Sequence, residues 1–90
     1  MANKRTLKKS INVVCSELFA ECVAVSLYGN DDNKNNAEAL LRSIAELERE
    51  YINRVSHPEP GMPANAYFND LIEKFNIAAS EIVDHIVNMN

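Results

Sequence analysis

Two histidines and two cysteines are the residues in this 90-residue chain best suited to do chemistry. Glu81 and His85 stand one helical turn apart, where a carboxylate and an imidazole could share a metal ion or work as an acid–base pair. No HExxH, no Glu-x-x-His repeat and no second ligand cluster accompanies them. A boundary histidine hydrogen-bonded to a carboxylate accounts for the pair equally well. A reactive cysteine needs exposure and a positive neighbour to hold its thiolate. Cys15 and Cys22 instead sit among apolar residues, with Glu17 and Glu21 as their nearest charges, and read as small buried hydrophobes. They are seven residues apart on one helix, about 10 Å along its axis, too far for a disulfide.

Asp31-x-Asn33-x-Asn35 resembles the opening of a calcium loop, but Asn36 replaces the required glycine and Arg42 the closing glutamate. Gly29 and Gly61 are isolated and cannot build a phosphate loop, and no nucleophile–base set is recognisable. The sequence therefore leads us to expect no catalytic residue, no cofactor and no metal site. Charge offers one further candidate. Lys4, Arg5, Lys8 and Lys9 crowd four positive charges into the first nine residues, while the remainder carries a balance of −8. That basic turn could grip an acidic protein or a nucleic-acid backbone. It holds no aromatic for stacking and no DNA-binding motif, so a solvated helix start near Glu48, Glu50 and Asp70 is the plainer account.

The elements that must position these residues are helices. A first helix is expected from an Asn3 or Thr6 cap to about Tyr28, with Gly29 as its C-terminal cap. Leu7, Ile11, Val14, Leu18 and Val25 mark one edge of its apolar surface, which Cys15, Cys22, Phe19 and Val23 broaden. The run from Gly29 to Asn36 reads as a polar loop, and an Asn35–Glu38 capping box would start a second helix over 36–56. Its core edge is Ala37, Leu40, Ile44, Leu47 and Tyr51; Glu38–Arg42 and Glu50–Arg54 have the favourable i,i+4 order. Pro58, Pro60 and Pro63 end that helix, with Pro63 as the first residue of a third helix over 63–88. Phe68, Leu71, Ile72, Phe75, Ala79, Ile82, Ile86 and Met89 form the apolar face of that last helix. No strand alternation stands out. Two connections of about eight residues favour an all-α, up-down-up three-helix bundle, a single domain open to completion by dimerisation.

Apolar content of 47% and charged content of 24% are those of a globular domain that buries a modest core without staples. Glu17 and Glu21 interrupt the apolar stretch that a signal peptide or membrane span would need. No small-residue cleavage site follows, and Val13-Val14-Cys15 is a poor lipoprotein site. The expectation is a cytoplasmic protein with no membrane contact.

The stretch Asn3-Lys4-Arg5-x-Leu7-Lys8-Lys9-x-Ile11-Asn12, continued by Cys15-x-Glu17-Leu18-Phe19-Ala20-Glu21-Cys22-Val23-Ala24, resembles the opening of an uncharacterised family of small all-helical bacterial proteins. The resemblance covers mainly the first helix. It implies an intracellular, bacterial, helical protein and supplies no activity, ligand or site residue.

One surface is left over. Val13, Ser16, Ala20, Ala24 and Leu27 lie on the side of the first helix that has no partner in a three-helix monomer. Alanine and serine are acceptable surface residues on any helix. Small residues four apart also permit close helix approach, so this side could serve a homodimer or another helical protein. A non-enzymatic interaction or assembly module is the leading expectation. An accessory binder of nucleic acid or acidic protein through Lys4, Arg5, Lys8 and Lys9 is the alternative, and a small enzyme around Glu81 and His85 the third.

Overall fold

Asn3 opens the first helix: its side-chain Oδ1 accepts the Thr6 backbone N–H at 2.8 Å, and its carbonyl accepts the Leu7 N–H at 3.0 Å. This satisfies donors that the first turn leaves without intrahelical partners. The computed structural model describes residues 3–28 and 31–89 and contains three helices: α1 (Lys4–Tyr28), α2 (Asp31–Ser56) and α3 (Ala64–Asn88). The Gly29 cap expected for α1 lies outside the described residues.

The start of α2 departs from the sequence reading. The helix begins at Asp31, so most of the expected polar loop is helical and Asn35 is no cap. The cost of helical Asn and Asp is only a few tenths of a kcal/mol each, about 0.5 relative to alanine. A helix opening with two aspartates also suits the positive end of its macrodipole. Ala37, wholly buried at 0% exposure, anchors the segment against α1. Packing outweighs propensity here.

The proline segment ends α2 as expected. Pro60 and Gly61 form a turn in which Gly61 has φ +86°, the value that the third position of a type II turn demands. Pro63 sits one place outside α3, at the N-cap with ψ 137°, and its carbonyl accepts the Tyr67 N–H at 3.0 Å. It therefore presets the entry to the helix from outside, rather than as the first helical residue.

The helices run up, down and up. Asn12 Nδ2 donates to Glu48 Oε1 at 2.6 Å and the Cys22 thiol to the Ala37 carbonyl at 3.3 Å, which fixes α1 and α2 as antiparallel. The Tyr67 hydroxyl donates to the Arg54 carbonyl at 3.0 Å at one end of α2–α3, while Leu40 and Met89 line one groove at the other. Buried residues recur at spacings of three and four on α1 and α3 and, from Ile44 onward, on α2, the pattern of a seam in a helix bundle. They form one cluster from Leu7, Val55 and Phe68 to Cys22, Ala37 and Ile86.

Residue size sets the spacing. Cysteine and alanine let α1 and α2 approach closely, and these two share most of the close backbone approaches. Aromatic side chains stand between α2 and α3, where Tyr51 and Phe75 pack edge to face with centroids 5.3 Å apart. The result is a rod of 48 × 18 × 18 Å. Its radius of gyration of 14.7 Å exceeds the roughly 12 Å of a compact chain this long. Such a shape leaves long helix faces to solvent.

Candidate interaction surface

At 100° per residue, Val13, Ser16, Ala20, Ala24 and Leu27 fall within an arc of about 80°, opposite Ile11, Cys15, Leu18 and Cys22. All five are exposed, Val13 at 47% and Leu27 at 68%. No charged residue interrupts the arc over these four turns; Glu17 and Glu21 stand at its edge toward α3. There, with Val14, Leu18, Val83 and Asp84, they line a shallow acidic-rimmed groove.

Sequence reasoning assigned Phe19 to the buried side, and the structure corrects this. Phe19 is 46% exposed. Its position four residues after Cys15 and three before Cys22 suggests burial, yet it falls about 40–60° beyond both, past the α1–α2 seam. By the Asn12–Glu48 register it stands level with half-buried Leu41. With half-buried Val23 it widens the apolar arc toward α2.

The basic turn adjoins this face. Lys9 lies within the arc and Arg5 at its edge; Lys4 and Lys8 turn toward α2. None of the four has an ion-pair partner among the described residues, where the ion pairs are Arg54–Glu50 at 2.7 Å and Lys74–Asp70 at 3.0 Å. Glu38 and Arg42 do not close. α1 has no acidic residue in its first turn and no basic residue in its last, the reverse of what its macrodipole favours.

The other candidate groups are dispersed. Cys15 and Cys22 are free thiols, 1% and 0% exposed. Burial, followed by the nearby Glu48 carboxylate, pushes the Cys15 thiol up to about 11, and burial raises Cys22 as well. Both therefore resist forming thiolate. Glu81 and His85 are both exposed and do not bond to one another, so the expected histidine–carboxylate hydrogen bond is not made. They border a surface groove between α2 and α3 with Ser43, Glu46 and Glu50. Asp31, Asn33 and Asn35 lie on a helical backbone, unlike a calcium loop. Among the described residues no three His, Cys, Asp or Glu side chains are grouped as a metal site.

By length and composition alone, α1 is long and apolar enough to cross a membrane, despite Glu17 and Glu21. The core helix of a soluble protein passes the same test, but only 28% of the most apolar stretch of α1 is buried. A helix this apolar, packed on α2 and α3 along part of its circumference, has surface to spare. The chain matches no protein-family model, no curated protein and no solved structure.

Proposed function

We propose that the protein is a non-enzymatic helical interaction module that docks a partner helix on the outward face of α1. The observation that supports this reading is the uncharged, exposed arc of Val13, Ser16, Ala20, Ala24 and Leu27 beside exposed Phe19. The core closes without any of them. Small side chains along the middle of the arc leave room for another helix axis to come close, and contiguous exposed apolar surface marks interaction sites. A cytoplasmic setting suits two free thiols held apart on one helix.

The test is association of the purified chain, with itself or with proteins of its native extract, compared with Ala20→Glu and Ala24→Glu. Each substitution is expected to abolish association while leaving the helical circular dichroism unchanged. A wild-type chain that stays monomeric and brings nothing down would overturn the reading.

A second reading is favoured by four cations that have no ion-pair partner among the described residues. In it, Lys4, Arg5, Lys8 and Lys9 contact an acidic protein or a nucleic-acid backbone. Such binding falls steeply with salt, and its slope drops by roughly one for each phosphate-contacting cation changed to alanine. Binding indifferent to salt excludes it.

A further inference from the structure

We infer that the side of the α1–α2 pair facing away from α3 binds a single-stranded nucleic acid, its cations holding phosphates while Phe19 stacks on an unpaired base. This rests on the second reading above and names its partner. Charge is segregated across the bundle. Of the nine lysines and arginines, Arg54 and Lys74 are held in ion pairs with Glu50 and Asp70. The other seven lie on α1 and α2, and none has an ion-pair partner among the described residues.

The Asn12–Glu48 hydrogen bond marks this side, because Val14, Glu17 and Glu21 line the groove toward α3. At 100° per residue, Arg5, Lys8 and Phe19 fall within about 40° of Asn12, and Lys9 within about 60°. On α2, Arg49 and Arg42 stand about 100–120° round from Glu48, where the helix turns from α1 to solvent. The antiparallel register sets Arg49 level with Ile11 and Arg42 level with Leu18. From Lys4 to Phe19 the track is about 22 Å long, the scale of the smallest single-strand sites, about four nucleotides. Along it, Glu48 is the one carboxylate among the described residues that faces the cations, and it is half-buried and bonded to Asn12. Glu17 and Glu21 border the α1–α3 groove, and Glu46 and Glu50 the α2–α3 groove. Glu38 bounds the track about one turn beyond Phe19, and the start of α2 lies further along still.

Phe19 is the second, independent observation. Its ring is 46% exposed although Leu18 and Cys22 beside it are buried, and Arg42 stands less than a turn along from it. Cations that track a backbone, with an aromatic face among them for a base, are what sequence-tolerant single-strand binders combine. A duplex hides its base faces, and the bundle, 18 Å across, is wider than a major groove of roughly 12 Å.

Fluorescence anisotropy of labelled oligo-dT, oligo-U and a duplex of equal length, titrated with the full chain, tests this. The expected result is binding of a single strand in preference to the duplex, the oligo-dT and oligo-U arms telling which sugar is favoured. With about five cations on phosphates, that affinity should fall roughly hundredfold between about 50 and 200 mM salt. Lys8→Ala and Arg49→Ala should each lower the salt slope by about 0.7, whereas Lys74→Ala, an equal change of charge on α3, should leave it unaltered. Phe19→Ala should weaken binding roughly tenfold with the slope unchanged. The chain has no tryptophan, so Phe19→Trp supplies a single reporter, which should bind at least as tightly and lose emission as the strand stacks on it. A duplex or anionic phospholipid vesicles held as tightly as the strand, an unaffected Phe19→Ala, or an unmoved Phe19→Trp emission overturns the inference and leaves the basic turn as a polyanion contact. If strands, duplex, vesicles and heparin all fail to bind, the inference and that second reading both fall.

Discussion

Raising the pH should destabilise this protein through Cys15 before it ionises the thiol in the folded state. In the unfolded chain the thiol titrates near 9.0; in the fold, burial and the neighbouring Glu48 carboxylate push it up to about 11. Between these values the unfolded state has released a proton that the folded state retains. Stability therefore stays level below pH 9 and falls by about 1.4 kcal/mol per pH unit above it. Across the two-unit window the loss is about 2–3 kcal/mol, and Cys22, raised in the same direction by burial, adds to it. A domain of this size holds only about 5–13 kcal/mol in total, so the effect is large. Urea unfolding followed by circular dichroism at each pH unit from 7 to 11 would measure it. Cys15→Ala is the reference: it costs about 1 kcal/mol at pH 7 through the vacated volume, but its stability should fall less steeply above pH 9. Parallel decline of the two proteins from pH 9 to 11 would refute the reasoning, since the tyrosines and lysines that titrate there are common to both.

Asn3→Ala removes the acceptor of the Thr6 N–H and should cost about 1 kcal/mol, visible as faster amide exchange confined to the first turn of α1. Ala37→Leu forces extra volume between α1 and α2 at a fully buried position and should lower stability by about 1–3 kcal/mol in thermal or urea melts. Gly61→Ala meets no atom within 4 Å, so its cost should be the backbone strain of φ +86° alone, about 1 kcal/mol in urea melts, with the fold retained.

The parts of the fold legible in the sequence were those written as periodicity. The three-and-four spacing of Leu7, Ile11, Cys15, Leu18 and Cys22, and of Phe68, Leu71, Phe75, Ala79 and Ile82, identifies these buried stripes, and the prolines at 58, 60 and 63 bound the connection between α2 and α3. The start of α2 was illegible because Asn and Asp are weak helix formers with strong turn preferences, and the buried Ala37 that holds the segment acts through tertiary contact. Phe19 was misplaced for a related reason. A helical wheel fixes its direction, but how far round α1 the cover extends depends on where α2 lies, and the close α1–α2 approach through Cys22 and Ala37 leaves Phe19 outside. The exposed arc was legible because no periodic partner remained for it.

That division within α1 separates folding from association. Cys15, Leu18 and Cys22 belong to the core, so changing them alters stability and reaches any docking partner only through unfolding. Ser16, Ala20 and Ala24 are exposed and stand outside the core cluster, and charged substitutions at such exposed helix positions usually shift stability by no more than about 0.5 kcal/mol. The two sets alternate along the same stretch of about three turns, one or two residues apart. A variant panel across Cys15–Ala24 should therefore swing between lost stability and lost association with helical period. If instead stability and association fell together at every position, the bundle would be marginal without its partner, and the outward face would be part of the core of a larger folding unit.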